Sequence, residues 1–373
     1  MNILIAPNSL KNAANAVDIA RAIDDGLHKA IPDATIRMLP IADGGEYTLE
    51  IILLNLGGVE TTIDTIDPLG RPIKASYGIT DDKLGIIELS KASGYEFLQG
   101  KRDKNPLLTS TYGTGMQIRD AIDKGCRKFL LTLGGSATVD GGAGILQALG
   151  VRLLDKSGQN IPHGGGNLLI LDVIDTSGII PEAEEIEFTI LCDVTNPLLG
   201  DKGAAVVFAP QKGAEPIEAA VLERCLLKFG DMCEEYSGKN LIEMEGAGAA
   251  GGVAVGLGAF FDINLTSGTE YILDLQDADK QIKWADVVIT AEGSLDTQTF
   301  GGKGPFVLAN KVKKAGKKMI CLAGSVPHRF DDPDQLFDAV FSLQNKPIGL
   351  EEAIDNTLVS ITNVAFEIGR LLK

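Results

Sequence analysis

The sequence predicts an α/β protein in which a second domain is inserted into the first. Strand and helix patterns alternate at the start of the chain, and the same alternation returns near its end. Such alternation is typical of layered α/β folds with a parallel sheet. Between the two ends, short segments of alternating polar and apolar residues indicate antiparallel or mixed strands. Both ends therefore belong to one sheet domain, and the middle forms another.

The opening elements follow from short apolar runs and from helical spacing. Asn2–Pro7 is predicted as a buried strand and Val17–Ala30 as a helix, and Thr35–Leu39 and Thr48–Leu56 repeat this pair. This strand-helix-strand-helix order predicts a three-layer, Rossmann-like parallel sheet.

The middle of the chain changes its rhythm after Val59. The segments ETTIDTI, PIKASYGI and LGIIEL surround a DPLGRP turn and are predicted as antiparallel or mixed strands. Further helices are predicted at 115–124, 141–149 and 216–234, and further strands at 128–133 and 187–192. These elements make up a second α/β domain with a mixed sheet.

The last part of the chain returns to the α/β pattern. Strands are predicted in ADVVITAEG, KKMICLAGS and LFDAVFSL, with a helix in KGPFVLANKVKKAG. A closing amphipathic helix carries apolar residues on one face, namely Ile354, Leu358, Ile361, Ala365, Ile368 and Leu372. We expect a discontinuous Rossmann-like domain of residues 1–60 and 275–373, an inserted mixed-sheet domain of residues 61–274, and an active site in the cleft between them.

Composition and charge limit the partners of this 373-residue chain. Its net charge of −17 disfavours nucleic acid and anionic membranes, which are themselves negatively charged. Five cysteines without a C-x-x-C pair indicate free thiols of a reducing compartment rather than disulfides or zinc ligands. The opening MNILIAPNSLKN lacks the basic region of a secretion signal, and the least polar run, Gly246–Phe261, is too short to span a bilayer. We expect a cytoplasmic protein that acts on small molecules, with a homodimer left open.

Several catalytic signatures are missing from the sequence. It contains neither the G-x-S-x-G of α/β-hydrolases nor the G-x-x-x-x-G-K-[ST] of P-loop NTPases. One G-x-G-x-x-G occurs at Gly246, Gly248 and Gly251, but the weak strand before it, NLIEME, is unlike the opening of a dinucleotide site. Close packing of a helix rich in glycine and alanine is the favoured explanation. A nicotinamide oxidoreductase is therefore a distant alternative.

Candidate site residues follow the predicted strands, where open parallel sheets bind their ligands. We expect those of the two chain ends to converge on one sheet edge. They are Ser9, Lys11, Asp43, Gly44, Gly45, Glu292, Asp296, Gln298 and Lys303. Those of the middle segment are Gly134, Gly135, Ser136, Asp193 and Asn196.

The stretch GGSATVDGGAG at 134–144 lies between a predicted strand and a predicted helix. Large side chains do not cover its backbone N–H groups, and a helix amino end adds a favourable partial charge, so the stretch suits a phosphate group. The alternative is that Asp140 caps the helix and the glycines serve turn geometry. Spacing alone does not separate the two.

Three acidic residues offer carboxylates for Mg²⁺, namely Asp43, Glu292 and Asp296. This ion takes one or two carboxylates from a protein and completes its shell with phosphates and water. Helix caps or solvated loop acids are the alternative for each of the three.

Seven motifs occur along the chain, spread over nearly its full length. They are PNSLK at 7–11, ADGGEYT at 42–48, GGSATVDGGAG at 134–144, DVTNPL at 193–198, PQKGA at 210–214, GAGAAGG at 246–252, and AEGSLDTQ at 291–298 followed by Gly302-Lys303. In this order they resemble the bacterial type of the glycerate kinase family. The resemblance assigns the Gly246 run to a family element rather than to a dinucleotide site.

The resemblance implies transfer of the γ-phosphoryl group of ATP to D-glycerate with Mg²⁺, usually giving 2-phosphoglycerate, with 3-phosphoglycerate as the other product. It implies Asp193 as the group that orients or deprotonates the acceptor hydroxyl, and Lys11 and Lys303 as cations facing phosphate or carboxylate. The metal would lie near Asp296, Glu292 and Asp43. The remaining candidates, which would bind substrate or phosphate, are Ser9, Gly44, Gly45, Gly134, Gly135, Ser136, Asn196 and Gln298.

Four positions depart from the family pattern. Asn8 stands where Asp is usual, Tyr47 and Ala291 where Gly is usual, and Ser294 where Arg is usual. The charges lost at positions 8 and 294 are of opposite sign. This fits an ion pair that is present in the family and absent from this chain. If the Arg instead grips the glycerate carboxylate, Ser294 cannot replace it. A kinase for another small hydroxy acid, or a non-catalytic paralogue that binds nucleotide or hydroxy acid, are therefore the alternatives.

Overall fold

The computed structural model describes residues 1–295, 304–327, 335–344 and 346–373. The strands are β1 Asn2–Ile5, β2 Thr35–Met38, β3 Val59–Ile66, β4 Pro72–Ile79, β5 Leu84–Glu88, β6 Lys128–Thr132, β7 Arg152–Leu154, β8 Val173–Asp175, β9 Glu187–Leu191, β10 Asp262–Thr266, β11 Val287–Ser294, β12 Lys318–Ser325 and β13 Ala339–Ser342. The α-helices are α1 Ala16–Ala30, α2 Thr48–Leu56, α3 Ser90–Ser93, α4 Gly100–Asp103, α5 Tyr112–Asp123, α6 Ala143–Ala148, α7 Ala204–Phe208, α8 Pro216–Ser237, α9 Val253–Phe260, α10 Gly268–Leu275, α11 Ala278–Trp284, α12 Gly304–Lys314, α13 Leu350–Asp355 and α14 Thr357–Leu372. Short 3-10 turns are Tyr95–Phe97, Gly165–Ile170, Ala183–Glu185, Pro210–Lys212 and Ala249–Gly251.

Internal contacts divide the chain into two compact units. The terminal unit comprises 1–43, 50–55 and 268–373, and the inserted unit comprises 44–49 and 56–267. The predicted domain limits at residues 60 and 274, and the predicted cleft, stay predictions.

The terminal unit is built on a parallel sheet with the strand order β13-β12-β11-β1-β2. Alternation along β1 explains its three layers, because successive side chains of a strand point to opposite faces. Ile3 and Ile5 pack in a core with residues of α1 and α14, while Leu4 packs in another with residues of α10, α11 and α12. The sheet is thus covered on both faces, as the Rossmann-like prediction requires.

The inserted unit contains a mixed sheet with the strand order β10-β9-β6-β5-β4-β3. Strands β10, β9, β6 and β5 are parallel, and β4 and β3 are antiparallel to their neighbours. Phe188 on β9 stacks on Phe129 of β6 with ring centroids 5.2 Å apart and meets Phe261 edge-on at 5.4 Å. The predicted fold class, a Rossmann-like parallel sheet with an inserted mixed-sheet α/β domain, is confirmed.

Three predicted elements differ from the structure. The strand predicted in LFDAVFSL is shorter, since β13 spans only Ala339–Ser342. The closing helix divides at Asn356 into α13 and α14, and Leu358 is 39% exposed although Ile361, Ala365 and Ile368 are buried. Within the described residues, NLIEME is not a strand.

The Gly246 run packs tightly rather than opening a dinucleotide site. A Cβ at Gly251, whose φ is +72°, would lie 2.3 Å from the carbonyl oxygen of Thr138, and a Cβ at Gly256 would lie 2.3 Å from that of Gly141. The favoured explanation, close packing, is therefore the one observed. No helix in the described part of the chain has the length and apolar character needed to cross a membrane.

We predict that Gly26→Ala destabilises the protein. In α1, a Cβ at Gly26 would lie 2.3 Å from the carbonyl oxygen of Thr362 and 2.7 Å from the Cβ of Ala365 on α14. Overpacking costs about 1–3 kcal/mol, and a clash with a main-chain oxygen belongs in the upper part of this range, above the roughly 1 kcal/mol that alanine gains in helix propensity. Urea unfolding measures the loss, and the exposed neighbour substitution Asp25→Ala serves as control. A Gly26→Ala midpoint at or above that of the wild type would contradict the prediction.

Candidate active site

The carboxyl edge of the parallel strands in the inserted unit gathers several of the predicted residues. Strands β5, β6 and β9 are neighbours in parallel register, and Glu88, Thr132 and Leu191 end them. The loops that follow β6 and β9 carry Gly134 and Asp193. Open parallel sheets bind ligands at this edge.

Two glycine loops touch through their backbones at this edge. The N–H of Gly134 donates to the carbonyl oxygen of Gly44 at 3.1 Å. A Cβ at Gly134 would lie 2.4 Å from the Cα of Gly45, closer than real Cβ contacts allow. A Cβ at Gly44, whose φ is +78°, would also lie 3.3 Å from the carbonyl oxygen of Leu191. The structure thus brings Gly44 and Gly45 together with Gly134, whereas the sequence analysis grouped these two glycines with the residues of the chain ends.

The next two residues of this loop present open hydrogen-bond donors. Within the described residues, the N–H groups of Gly135 and Ser136 have no acceptor, whereas the carbonyl oxygen of Gly135 accepts from the N–H of Tyr95. Gly135 is exposed and has a φ of +71°, and Ser136 is half-buried. Consecutive open N–H groups next to a left-handed residue form a concavity that suits an anion.

Asp193 follows β9 and is oriented by the neighbouring strand. Its Oδ1 accepts a 2.6 Å hydrogen bond from the hydroxyl of Ser267, which follows β10. The carboxylate is half-buried, so it is both held and accessible. Asn196 has a local role, since its side-chain amide donates to the carbonyl oxygen of Lys202 at 2.8 Å and its own carbonyl oxygen accepts from the N–H of Gly248.

Asp140 does not face a ligand. It is 1% exposed, and its carboxylate accepts hydrogen bonds from the N–H and hydroxyl of Thr111 and from the N–H groups of Gly142 and Gly144. Burial raises its pKa, and the bonds from Thr111 partly oppose that shift. Asp140 therefore ties the starts of α5 and α6 together, which agrees with the capping explanation for this residue.

Lys212 is the residue that sequence reasoning missed. It is 2% exposed, and its Nζ donates to the Ser136 hydroxyl at 2.8 Å and to the Thr138 carbonyl oxygen at 2.7 Å. Burial lowers its pKa to about 7, and the negative charge of Asp140 opposes that shift. The signal available was a single lysine two residues after the apolar run AAVVFAP, in the motif PQKGA.

Glu88, at the end of β5, is a second missed residue. It is fully buried, its Oε1 accepts from the N–H of Leu49 at 2.8 Å, and its Oε2 lies 3.7 Å from the Nζ of Lys91 without a hydrogen-bond partner among the described residues. Burial raises its pKa to about 7, opposed chiefly by the bond from Leu49. The signal was an acid closing the apolar segment LGII, but that segment was predicted as antiparallel or mixed.

The terminal unit holds a separate group of predicted residues. Its strands β11, β1 and β2 are neighbours, so Glu292, Ser9, Lys11 and Asp43 lie towards one edge of that sheet. Glu292 lies on β11 rather than in the loop after it. The reason is that β11 stays paired with β12 as far as Ser294.

Both polar atoms of the Asn8 side-chain amide make hydrogen bonds. Its Oδ1 accepts from the N–H of Ser9 at 2.9 Å, and its Nδ2 donates to Oε2 of Glu292 at 3.4 Å. An aspartate at this position would place a second carboxylate beside Glu292. The exchange to asparagine therefore removes a like-charge contact.

Tyr47 has a φ of +68°, in the left-handed region that glycine adopts freely. The family pattern has glycine at this position, and a side chain there is strained by about 1–2 kcal/mol. The departure at position 47 therefore affects the backbone conformation and neither adds nor removes a charge.

The predicted metal ligands are partly within the described residues. Asp296, together with Gln298 and Lys303, lies outside them. Within them, no three His, Cys, Asp or Glu side chains are grouped to hold a metal ion. Asp43 and Glu292 nevertheless suit Mg²⁺, because this ion needs only one or two carboxylates beside phosphates and water.

The chain matches the model of the glycerate kinase family over residues 3–373. It belongs to this family. A glycerate kinase of Halalkalibacterium halodurans is 44% identical over 94% of this chain and 93% of its own length. The glycerate 2-kinase of Escherichia coli is 38% identical over 98% and 97%, respectively. The crystal structure of a protein assigned as glycerate kinase 2 from Salmonella typhimurium LT2 superposes with a TM-score of 0.85, at 38% identity, over 100% of this chain and 98% of that one.

Membership in the glycerate kinase family confirms two predictions. The family itself was predicted from seven motifs, and the match covers their full extent. The enzyme class, a phosphotransferase that acts on an alcohol group, is confirmed with it.

We predict that Glu88 makes the stability of the protein depend on pH. Its pKa is about 7 in the folded state against an ordinary 4.5, so between these values the folded state binds more protons than the unfolded state. The contribution of Glu88 to the free energy of unfolding therefore falls as pH rises from about 4.5 to 7 and is constant above that. Glu88→Gln removes this fall, which amounts to on the order of 3 kcal/mol.

Urea unfolding of wild type and Glu88→Gln at several pH values measures the difference. Glu96→Gln, which removes an exposed carboxylate from the following segment, is the control. Parallel curves for wild type and Glu88→Gln between pH 4.5 and 7 would show that Glu88 does not carry the effect.

Proposed function

We propose that this protein is a glycerate kinase that transfers the γ-phosphoryl group of ATP to D-glycerate and forms 2-phosphoglycerate. The chain belongs to the glycerate kinase family, and one edge of its mixed sheet carries both open N–H donors and an oriented carboxylate. This combination is the observation that carries the proposal. Phosphoryl transfer asks a protein mainly to position reactants and to neutralise oxygens. The loop at 134–136 and Asp193 offer these two functions.

In this proposal Asp193 orients the acceptor hydroxyl and accepts its proton. The bond from Ser267 holds Oδ1 of this carboxylate in place, as the role of an orienting group requires. The N–H groups of Gly135 and Ser136 bind anionic oxygens of phosphate or carboxylate. Residues Gly44 and Gly45 keep that loop in place through their contact with Gly134.

The remaining predicted residues keep the roles that the resemblance implies. Ser9 and Lys11 in the terminal unit, with Lys303 and Gln298, would contact phosphate or carboxylate, and Asn196 would hold its own loop in shape. Asp43 and Glu292, with Asp296, would hold Mg²⁺. When bound, the ion would neutralise negative charge on the phosphate oxygens. We place the protein in the cytoplasm on the basis of its free cysteines, with small molecules as its partners.

A kinase for another small hydroxy acid is the second candidate. The observation that favours it is the contact of Asn8 with Glu292, together with serine at position 294. The chain lacks a negative charge and a positive charge that the family pattern places there. Either loss alters recognition of a carboxylate.

We predict that Asp193→Ala lowers turnover by about 10²–10⁴-fold while the fold persists, because general bases contribute this much. Asp193→Asn keeps an acceptor for Ser267 but no base, so its loss is expected to be similar. The measurement is ADP release from Mg-ATP with D-glycerate, alongside the thermal midpoint. Asp201→Ala, an exposed acid of the same segment, is the control. Near-normal turnover of a folded Asp193→Ala protein would remove this residue from the mechanism.

We predict D-glycerate-dependent ADP release by the unmodified protein, with 2-phosphoglycerate identified as the product by phosphorus NMR. A panel of acceptors, including L-glycerate, glycolate and D-lactate, is compared on the wild type and on Asn8→Asp combined with Ser294→Arg. Preference for another acid would establish the second candidate. If the wild type shows no turnover and the double variant does, the protein has lost catalysis through positions 8 and 294. If the product is 3-phosphoglycerate, the proposed product is wrong.

A further inference from the structure

The side chain of Lys212 reaches the candidate anion loop from inside the protein. Its Nζ donates to Oγ of Ser136 at 2.8 Å and to the carbonyl oxygen of Thr138 at 2.7 Å, so it contacts the loop twice. Lys212 is 2% exposed, while Gly135 is exposed and Ser136 half-buried. The ammonium group therefore lies beneath the loop, and an anion would approach from the opposite side.

A glycine directly after Lys212 ends the turn that carries this lysine and packs closely against the backbone of Lys104. Gly213 has a φ of +104°, and a Cβ there would lie 2.1 Å from the carbonyl oxygen of Lys104. Only glycine fits such a turn. The 3-10 turn Pro210–Lys212 is thereby held close to the segment of Lys104, and its last residue is the buried lysine.

The charges around Lys212 do not neutralise it by direct pairing. The carboxylate of Asp140 acts on it electrostatically, but Asp140 is bonded to Thr111 and to two backbone N–H groups. The ammonium of Lys104, from the segment packed against Gly213, lies over the ring of Tyr95 at 4.5 Å. Hydrogen bonds to a hydroxyl and a carbonyl oxygen do not offset the burial of a full charge.

We propose that Lys212 is the positioning residue of the loop at 134–136 and that its ammonium group supplies the positive charge with which this loop holds an anionic oxygen. This inference rests on the proposed function, in which that loop binds a phosphate of the nucleotide or the carboxylate of glycerate.

The direction of the hydrogen bonds explains how Lys212 acts through Ser136. An ammonium has only donors, so it donates to Oγ and leaves the hydroxyl hydrogen to point towards a bound anion. A neutral amine has a lone pair that accepts the hydroxyl hydrogen, which is then turned inwards. Protonation of Lys212 therefore sets both the charge beneath the loop and the orientation of the Ser136 hydroxyl.

Binding of an anion and protonation of Lys212 are consequently coupled. Burial lowers the pKa of Lys212 to about 7 in the free protein, and an anion above it raises that pKa. By linkage, anion affinity falls as pH rises above 7. If the anion raises the pKa by about two units, affinity falls roughly tenfold between pH 7.5 and 9.0, and binding at pH 8 takes up close to one proton.

The test is calorimetric titration of the full-length protein with ADP and, separately, with D-glycerate, at constant Mg²⁺. Each titration is made at pH 8 in two buffers of unlike ionisation enthalpy, which gives the protons taken up. Affinities are then measured from pH 7.5 to 9.0, where the phosphates of ADP are already ionised. Uptake with ADP alone identifies a nucleotide phosphate as the ligand of the loop, and uptake with D-glycerate alone identifies the carboxylate.

Three variants assign the proton. Lys212→Met is expected to abolish the uptake and flatten the pH dependence of affinity, while Lys156→Met, which removes an exposed lysine of the same unit, leaves both unchanged. Glu88→Gln removes the other buried group of the inserted unit with a pKa near 7, and uptake is expected to persist in it. If Lys212→Met does not fold, uptake that persists in Glu88→Gln still supports the proposal.

Two results overturn the inference. One is binding of both ligands by the wild type without proton uptake, and the other is undiminished uptake in a folded Lys212→Met protein. Failure of the proposed function is recognised separately, as absence of D-glycerate-dependent ADP release at any pH. An enzyme that turns over without proton-linked binding would keep the function and lose only the role of Lys212.

Discussion

The contact between Gly134 and the Gly44–Gly45 backbone is the constraint on which the candidate site depends. Its hydrogen bond contributes only about 1 kcal/mol to stability. The steric requirement is much stronger, since a side chain at position 134 would lie 2.4 Å from the Cα of Gly45. Two loops from distant parts of the sequence thereby share one surface. The donors of Gly135 and Ser136 owe their position to this approach.

Much of the fold and part of the site could be predicted from local patterns. Apolar runs and helical spacing located β1, α1, β2 and α2, and the rule that ligands bind at the carboxyl ends of parallel strands selected Gly134 and Asp193. Both residues lie after parallel strands of the inserted unit. The elements and the strand ends could be located because periodicity is a local property of the sequence, while the functional roles of Gly134 and Asp193 stay predictions.

Lys212 and Glu88 could not be found in the same way, because the burial of a polar side chain has no local signature. Whether Lys212 is buried depends on where the loop of Ser136 passes, many residues away in the chain. Glu88 was missed for a different reason. Its strand was predicted as antiparallel or mixed, so the carboxyl-end rule was not applied, yet β5 pairs in parallel with β6.

The proposed anion donors are backbone groups, and this has an evolutionary consequence. A point substitution at position 135 or 136 changes the side chain, but the N–H group of the main chain is lost only if the new residue is proline. Most substitutions in this loop therefore leave the affinity for anionic oxygen unchanged, provided that glycine is kept at positions 134, 44 and 45, where the two loops meet. The departures at positions 8 and 294 involve side chains instead. In such an enzyme the choice of acid can diverge between lineages while the capacity to bind phosphate is inherited unchanged.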